Sequence, residues 1–403
     1  MDPMVRSAAT EANLTRALWA LTAGTFALAL NLNVLAPLLP DIARAFDASP
    51  ETLGLLSAMY AVPQALGAPL LGPLSDRWGR RRMMLLALGG FTLAGFAAAL
   101  APTLAWLAVA RVLAGLASSI YVPAAYAWIG DQVPAEHRAA GISNMTMAAP
   151  LASMVILPLA GFMDVQFGWR SPFILLALLA LLALWPISSI PDGHRRVRGG
   201  PGLVASYREI LSVPGAPTLL LASLCFAVSI MGPTAFLGVY LVEVHLLSIA
   251  TAGIVLGVLS AARLFGNRVG ARFADRLGHR RAVTWGLAGM AIGYLLVGLP
   301  GLPLGMALAG LALVGATFQG GYPAQVALVI GLSPAARGGT AAAANTGLFY
   351  LGATIGPALV GLAVGAAGPI SVGWIGLLGA LVGLALVTTR ARVVAAVSRA
   401  RGD

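Results

Sequence analysis

The stretch GPLSDRWGRRRMM, residues 72–84, decides the fold because it places a dense charged cluster inside an apolar chain. It holds Asp76, Arg77, Arg80, Arg81 and Arg82, whereas the sequence on either side is almost wholly apolar for about twenty residues, the length of a membrane-spanning helix. The pattern therefore predicts two membrane-spanning helices joined by a short arginine-rich loop.

The composition of the whole chain agrees with a membrane protein. Of the 403 residues, 59% are hydrophobic and 10% are charged, against about 25% charged in soluble domains. The net charge is +11, and all 25 basic residues are arginine. These arginines lie in short gaps between apolar runs, which indicates membrane topology rather than nucleic-acid binding. The single cysteine, Cys225, excludes a disulfide within the chain.

Apolar windows of about 20 residues predict an all-α membrane protein with twelve membrane-spanning helices, because lipid cannot satisfy open sheet edges. The predicted spans are 17–40, 52–73, 83–101, 104–129, 139–163, 171–190, 216–241, 249–270, 282–299, 302–330, 339–365 and 370–389. Residues before the first span are interpreted as a cytoplasmic tail, not a signal peptide.

The arginines predict the orientation. With both termini in the cytoplasm, the arginine-rich loops face inward and only Arg44 and Arg170 lie in outer loops. This distribution obeys the positive-inside rule. The Ala/Gly/Arg-rich, lysine-free composition is typical of a bacterium of high genomic GC content, so we expect a multi-pass protein of a bacterial inner membrane.

The second half of the chain repeats the first. ARFADRLGHRRAV, residues 271–283, matches the opening stretch 199 positions later, with Asp275 for Asp76 and Arg276 for Arg77. We therefore predict an N-terminal six-helix half (1–190), a cytoplasmic connector (191–215) and a C-terminal six-helix half (216–403). Two six-helix repeats in the same orientation are typical of transporters.

These features resemble the major facilitator superfamily over essentially the whole chain. GPLSDRWGRR fits the family's loop signature G-x-L-[SA]-D-R-x-G-R-[RK] at every fixed position, and the second copy fits it less well. The resemblance implies a latch that closes the cytoplasmic side in the outward-open state. Its expected residues are Gly72, Asp76, Arg77, Gly79, Arg80, Arg81, Asp275, Arg276 and Arg280. The alternative, that the arginines only set topology, is preferred for Arg82.

Other stretches resemble the twelve-helix drug:proton antiporter branch. ARVLAGLASS resembles the helix 4 signature that contains Arg111, and the resemblance ties this arginine to proton coupling. The helix 5 antiporter signature is eroded here to SMVILPLAG, as in some sugar-efflux and metabolite-efflux relatives, which weakens the case for export but not for transport.

Polar residues inside the spans are candidates for the substrate site because they are costly in lipid and face the bundle interior. Each neutral candidate is equally compatible with interhelical hydrogen bonding, whereas the alternative for Arg111 and Arg263 is an arginine that snorkels to the membrane surface. The candidates are Asn33, Tyr60, Gln64, Arg111, Tyr126, Asn144, Arg263, Gln319, Tyr322 and Asn345, together with Asn31, Tyr121 and Gln325.

No acidic residue falls at the middle of a predicted span, and this disfavours large cations as substrates. Glu243 and Asp41 are the candidate proton carriers besides Arg111. The sequence predicts a monomeric, proton-coupled efflux transporter of neutral or anionic drug-like compounds or metabolites, without a cofactor or metal. Uptake of a small organic anion or sugar remains the alternative. No nucleophile motif or metal spacing indicates an enzyme, and a substrate sensor of transporter ancestry also remains open.

Overall fold

A computed structural model describes residues 3–31, 34–48, 50–192, 203–332 and 338–401. These residues form helices and no strands, so the predicted all-α class is confirmed. The helices are α1 (Pro3–Leu30), α2 (Leu35–Phe46), α3 (Pro50–Leu71), α4 (Leu74–Trp78), α5 (Arg80–Ala99), α6 (Leu104–Gln132), a 3₁₀ turn (Ala135–His137), α7 (Arg138–Thr146), α8 (Ala148–Phe167), α9 (Ser171–Ser189), α10 (Leu203–Ser212), α11 (Ala216–Glu243), α12 (Ile249–Leu277), α13 (His279–Gly298), α14 (Leu304–Leu332), α15 (Gly338–Ala367) and α16 (Ser371–Arg401).

Ten helical segments within the described ranges are long and apolar enough to cross a membrane, and they match the third to the twelfth predicted spans. The first predicted span is divided into α1 and α2, and the second corresponds to α3.

Proline explains two of the helix breaks. Pro37 lies in the first turn of α2 and Pro150 in the first turn of α8. Proline lacks the backbone N–H, and its ring collides with the carbonyl four residues earlier. In both places a helix begins again two residues before the proline.

The chain forms two compact units. Unit 1 comprises Met1–Pro134, Asn144–Ser206 and Pro334–Ala343. Unit 2 comprises Ala135–Ser143, Tyr207–Ser333 and Ala344–Asp403. Each unit thus includes a short segment that belongs, by sequence, to the opposite repeat.

The same helix pairs pack inside each unit. In unit 1, α6 packs on α3 and α5, and α9 packs on α5. In unit 2, the equivalent helix α14 packs on α12 and α13, and α16 packs on α13. The loop glycines match as well: Gly79 has φ +94° and ψ 144°, and Gly278, 199 positions later, has φ +86° and ψ 148°. The internal repeat is therefore a repeat of backbone geometry.

Candidate functional site

The charged cluster of the opening stretch is buried in unit 1. Arg80, the first residue of α5, is 0% exposed, and Asp76 in α4 is 2% exposed. Arg80 Nη1 donates to Asp76 Oδ1 (2.5 Å) and Ser75 Oγ (2.8 Å), and Arg80 Nε donates to Asp131 Oδ2 at the end of α6 (3.0 Å). Buried charges of this kind are stable only when paired and hydrogen-bonded, and here they are.

Asp76 also caps the N-terminus of α15. Its Oδ1 accepts from the Gly339 N–H (2.9 Å), and its Oδ2 accepts from the N–H (2.8 Å) and Oγ1 (2.6 Å) of Thr340. The first N–H groups of a helix have no partner within the helix, and the helix dipole favours an anion there. One carboxylate therefore holds both Arg80 and the start of α15.

Glycines make this contact possible. A Cβ at Gly339 would lie 2.7 Å from Asp76 Oδ1 and would also collide with Arg80 Nη1. Gly72 packs against Ala343 so closely that a Cβ there would meet the Ala343 side chain. Gly79 has a positive φ, which glycine adopts without strain, and this turn aims Arg80 back toward Asp76.

The start of the predicted connector is fixed to the same region. Asp192 Oδ1 accepts from the Arg81 N–H at 3.3 Å, and the Pro191 carbonyl accepts from Trp128 Nε1 at 2.9 Å. Asp192 thereby occupies the N-terminus of α5, where a negative charge is favourable.

The remaining latch candidates lie outside the buried cluster of Asp76 and Arg80. Arg77 is exposed, so Arg80 rather than Arg77 forms the buried ion pair with Asp76. In the second copy, Arg280 donates to the Val387 carbonyl at 3.4 Å and Arg276 is exposed. The side chain of Asp275 lies outside the described residues.

Arg111 lies at the centre of a second buried site, within α6. It is 3% exposed; its Nη1 donates to Asn31 Oδ1 (2.7 Å) and its guanidinium lies 4.8 Å from the centre of the Tyr60 ring. The Tyr60 hydroxyl donates to Ser118 Oγ at 3.0 Å. Among the described residues, no carboxylate forms an ion pair with Arg111.

A small cavity adjoins this arginine. Its volume is about 10 Å³, on the scale of a single water, and Asn31 and Arg111 are its polar lining residues. The Asn31 Nδ2 is buried and has no hydrogen-bond partner among the described residues. The site therefore combines a buried cation with a spare amide donor, which together suit an anionic or carbonyl oxygen.

The other polar candidates of unit 1 have different surroundings. Gln64 lies within hydrogen-bonding reach of the Tyr60 side chain. Gln64 and Tyr126 are buried, whereas Asn144 in α7 is exposed. Asn33 lies outside the described residues.

Unit 2 contains a network of amides beside a cluster of aromatic rings. Ser223 Oγ donates to Asn345 Oδ1 (2.6 Å), and Gln325 Nε2 donates to the same oxygen (3.1 Å). The Asn345 Nδ2 donates to the Tyr322 hydroxyl at 3.5 Å. Sequence reasoning missed Ser223, since a lone serine in an apolar span carries no distinguishing signal.

The aromatic cluster is built around Tyr322. Its ring stacks on Phe318 (centroids 5.5 Å apart) and lies 4.6 Å from the Phe349 ring. Phe226 packs edge-on against Tyr322 at 6.0 Å. Gln319 is also buried, on α14, the helix that carries Phe318 and Tyr322.

Arg263 lies near the middle of α12. Its Nη2 donates to Thr234 Oγ1 at 3.0 Å. Gly315 makes room for the side chain, because a Cβ there would lie 2.8 Å from Arg263 Cγ. Unit 2 therefore holds its own arginine within the span.

The candidate proton carriers have different surroundings. Glu243 is exposed at the end of α11. Asp41 forms an ion pair with Arg44 and comes within hydrogen-bonding reach of Asp164 in α8. Asp164 is buried, and its Oδ1 has no partner among the described residues. Asp164 was not among the predicted site residues, although its position at the end of a predicted span offered a signal.

Sequence comparisons match this chain to membrane transporters. The family model described as Major Facilitator Superfamily matches residues 21–357 and 244–402. The chain is 29% identical over 347 residues to the uncharacterized MFS-type transporter YceJ of Bacillus subtilis, covering 85% of this chain and 88% of that one. It is 25% identical to the multi-drug resistance efflux pump PmrA of Streptococcus pneumoniae, covering 83% and 86%.

Among solved structures, the human organic anion transporter MFSD10 has a similar fold. The two structures superpose with a TM-score of 0.79, and the two sequences are 20% identical. The match covers 93% of this chain and 99% of MFSD10.

Proposed function

Because the chain belongs to the major facilitator superfamily of membrane transporters, we propose that it is a proton-coupled exporter of neutral or anionic drug-like compounds or metabolites. The observation that carries this proposal is Arg111, a buried cation with no carboxylate partner among the described residues. An uncompensated buried charge is costly, so a substrate or proton-linked anion that neutralises it gains affinity.

The substrate chemistry follows from the same residues. Arg111 and Arg263 supply positive charge, and the Asn345–Gln325 amides supply hydrogen bonds. The rings of Phe318, Tyr322 and Phe349 supply flat apolar surface. Unit 2 by itself therefore suits a compound with an aromatic or apolar body and a neutral or anionic polar group, and Arg111 gives unit 1 the same preference for an anionic or neutral polar group.

Export is the direction favoured by the named function of a relative. PmrA of Streptococcus pneumoniae is named as a multi-drug resistance efflux pump, and the two chains match over most of their lengths. We extend this direction to the present chain as part of the proposal.

The charged cluster acts as a conformational latch in this proposal. Asp76 binds the N-terminus of α15 through three hydrogen bonds, and α15 belongs by sequence to the C-terminal six-helix half. We expect these bonds to break and re-form during alternating access, with both termini and the latch on the cytoplasmic side and a monomer as the working unit.

Proton coupling is assigned to Arg111 and to the pair Asp41–Asp164. Burial, together with the neighbouring Asp41 carboxylate, raises the pKa of Asp164, so Asp164 retains a proton more readily than an exposed acid. Glu243, an exposed side chain, is the less suitable carrier.

Inverted membrane vesicles test the function. A growth screen of an expressing strain against a diverse compound panel first identifies a substrate. The substrate is then offered to inverted vesicles under pH gradients of each sign, and exporters accumulate it when the lumen is acidic. Accumulation that follows only a symport gradient would establish uptake instead. Binding without any transport in proteoliposomes would indicate a sensor.

A further inference from the structure

An apolar groove in unit 2 opens on the lipid-facing side of α12, α13 and α14. It has a volume of about 360 Å³ and contains almost only apolar and glycine residues. Phe265 and Trp285 on its two walls are 70% and 62% exposed, so the groove faces the bilayer rather than the helix core.

Glycines produce the groove. Gly266 and Gly270 of α12 let its backbone touch Ala316 and Gly320 of α14, where any Cβ would collide. The floor is therefore bare backbone, while aromatic side chains stand on both sides. Phe273 and Trp285 meet edge-on, with ring centroids 6.5 Å apart, toward the Gly278 loop.

Three arginines flank that end of the groove. In helical register, Arg272 and Arg276 lie on the same side of α12 as Phe265, and Arg281 lies on the same side of α13 as Trp285. All three side chains are exposed, and none forms an ion pair with a described residue. The groove is thus apolar along its length and positively charged at one end.

We propose that this groove binds an anionic phospholipid of the bilayer, with an acyl chain on the glycine floor and the phosphate at Arg272, Arg276 and Arg281. Basic rims between membrane helices attract anionic head groups, and each arginine offers paired N–H donors to a phosphate. A second copy of the chain would bury the aromatic walls but would leave the arginines without an anion. The proposal does not depend on the transported substrate.

Native mass spectrometry of the purified full chain tests the proposal. The protein is offered palmitoyl-oleoyl phosphatidylglycerol or the matching phosphatidylethanolamine at equal concentration. We expect at least tenfold tighter retention of phosphatidylglycerol by the natural chain. The double variant Arg276→Gln/Arg281→Gln should lose this preference, and Arg276→Lys/Arg281→Lys should keep most of it.

Matched controls separate the groove from general surface charge. Arg82→Gln removes the exposed arginine that the repeat relates to Arg281, and it should leave lipid retention unchanged. Ala288→Phe fills the groove and should release both lipids, whereas Leu295→Phe, on the same helix outside the groove, should not.

Two results would overturn the proposal. One is equal retention of both lipids by the natural chain and by the Arg276→Gln/Arg281→Gln variant. The other is a dimer without bound lipid that Ala288→Phe converts to a monomer, since a second copy would then occupy the groove.

Discussion

The Asp76 carboxylate accepts a hydrogen bond from the Thr340 backbone N–H at 2.8 Å, although 264 positions separate the two residues. This bond joins the short helix α4 of the N-terminal repeat to the first turn of α15 in the C-terminal repeat. The same carboxylate pairs with Arg80, so a change at Asp76 affects an ion pair and a helix cap together.

Asp76→Asn should impair transport while leaving the protein inserted in the membrane. The amide keeps the shape of the side chain but removes the charge that the α15 dipole and Arg80 stabilise. A charge at a partly buried helix terminus is worth up to about 2 kcal/mol, so the conformational balance should shift by up to about thirtyfold. The measurement is the transport rate in proteoliposomes at equal protein content. Arg82→Gln is the control, and natural rates in Asp76→Asn would leave the cluster with a topological role only.

Gly339→Ala should damage the same contact through sterics alone. The added Cβ would press on Asp76 Oδ1 and Arg80 Nη1, both of which are buried. We expect a transport loss comparable to that of Asp76→Asn. Gly365→Ala, on the same helix with open space around its Cβ, is the matched control. Equal transport by both alanine variants would contradict the proposed role of this contact as a latch.

The sequence predicted the acceptor of this contact, Asp76, but not the groups that donate to it. Asp76, Gly79 and Arg80 form a local pattern with a recognisable spacing. The groups that bind Asp76 are backbone N–H groups of Gly339 and Thr340, and a backbone donor carries no residue-specific signal. Asp131 was missed for a related reason, because a single acid at a helix end is common on any protein surface.

The lengths of the spans could be predicted from the sequence, whereas the contacts between them could not. Apolar length predicted the ten membrane-crossing helical segments, because the bilayer imposes that length on every span. The pairing of Arg111 with Asn31 and Tyr60 depends on how α1, α3 and α6 pack, and helix periodicity does not report that.

Arg111→Ala should abolish proton-coupled transport, and Arg111→Lys should restore little of it. A lysine keeps the charge but lacks the planar fork that reaches both Asn31 Oδ1 and the Leu56 carbonyl. The assay is transport driven by an imposed pH gradient, with membrane insertion checked separately. Full activity in Arg111→Ala would place this arginine among the structural residues.

Tyr322→Leu and Phe349→Leu should weaken binding of aromatic substrates more than that of non-aromatic ones. Each change removes a stacking surface of the cluster around Tyr322 while keeping an apolar side chain. We expect an apparent affinity loss of about two- to twelvefold, since an aromatic contact is worth about 0.5–1.5 kcal/mol. Phe162→Leu, an exposed ring in unit 1, is the control. Equal losses for aromatic and non-aromatic substrates would mean that the cluster only supports packing.

Asp164→Asn should uncouple transport from the pH gradient. Asp164 is buried beside Asp41, and replacing either carboxyl by an amide leaves no pair to share a proton. We expect substrate exchange across the membrane to continue without a gradient, while uphill transport driven by the gradient falls at least tenfold. Asp41→Asn should behave in the same way, because Asp41 is the other member of the pair. Glu243→Gln, which changes an exposed acid at the end of α11, should retain natural coupling. If Glu243→Gln uncouples transport and Asp164→Asn does not, the proton is carried at the end of α11 instead.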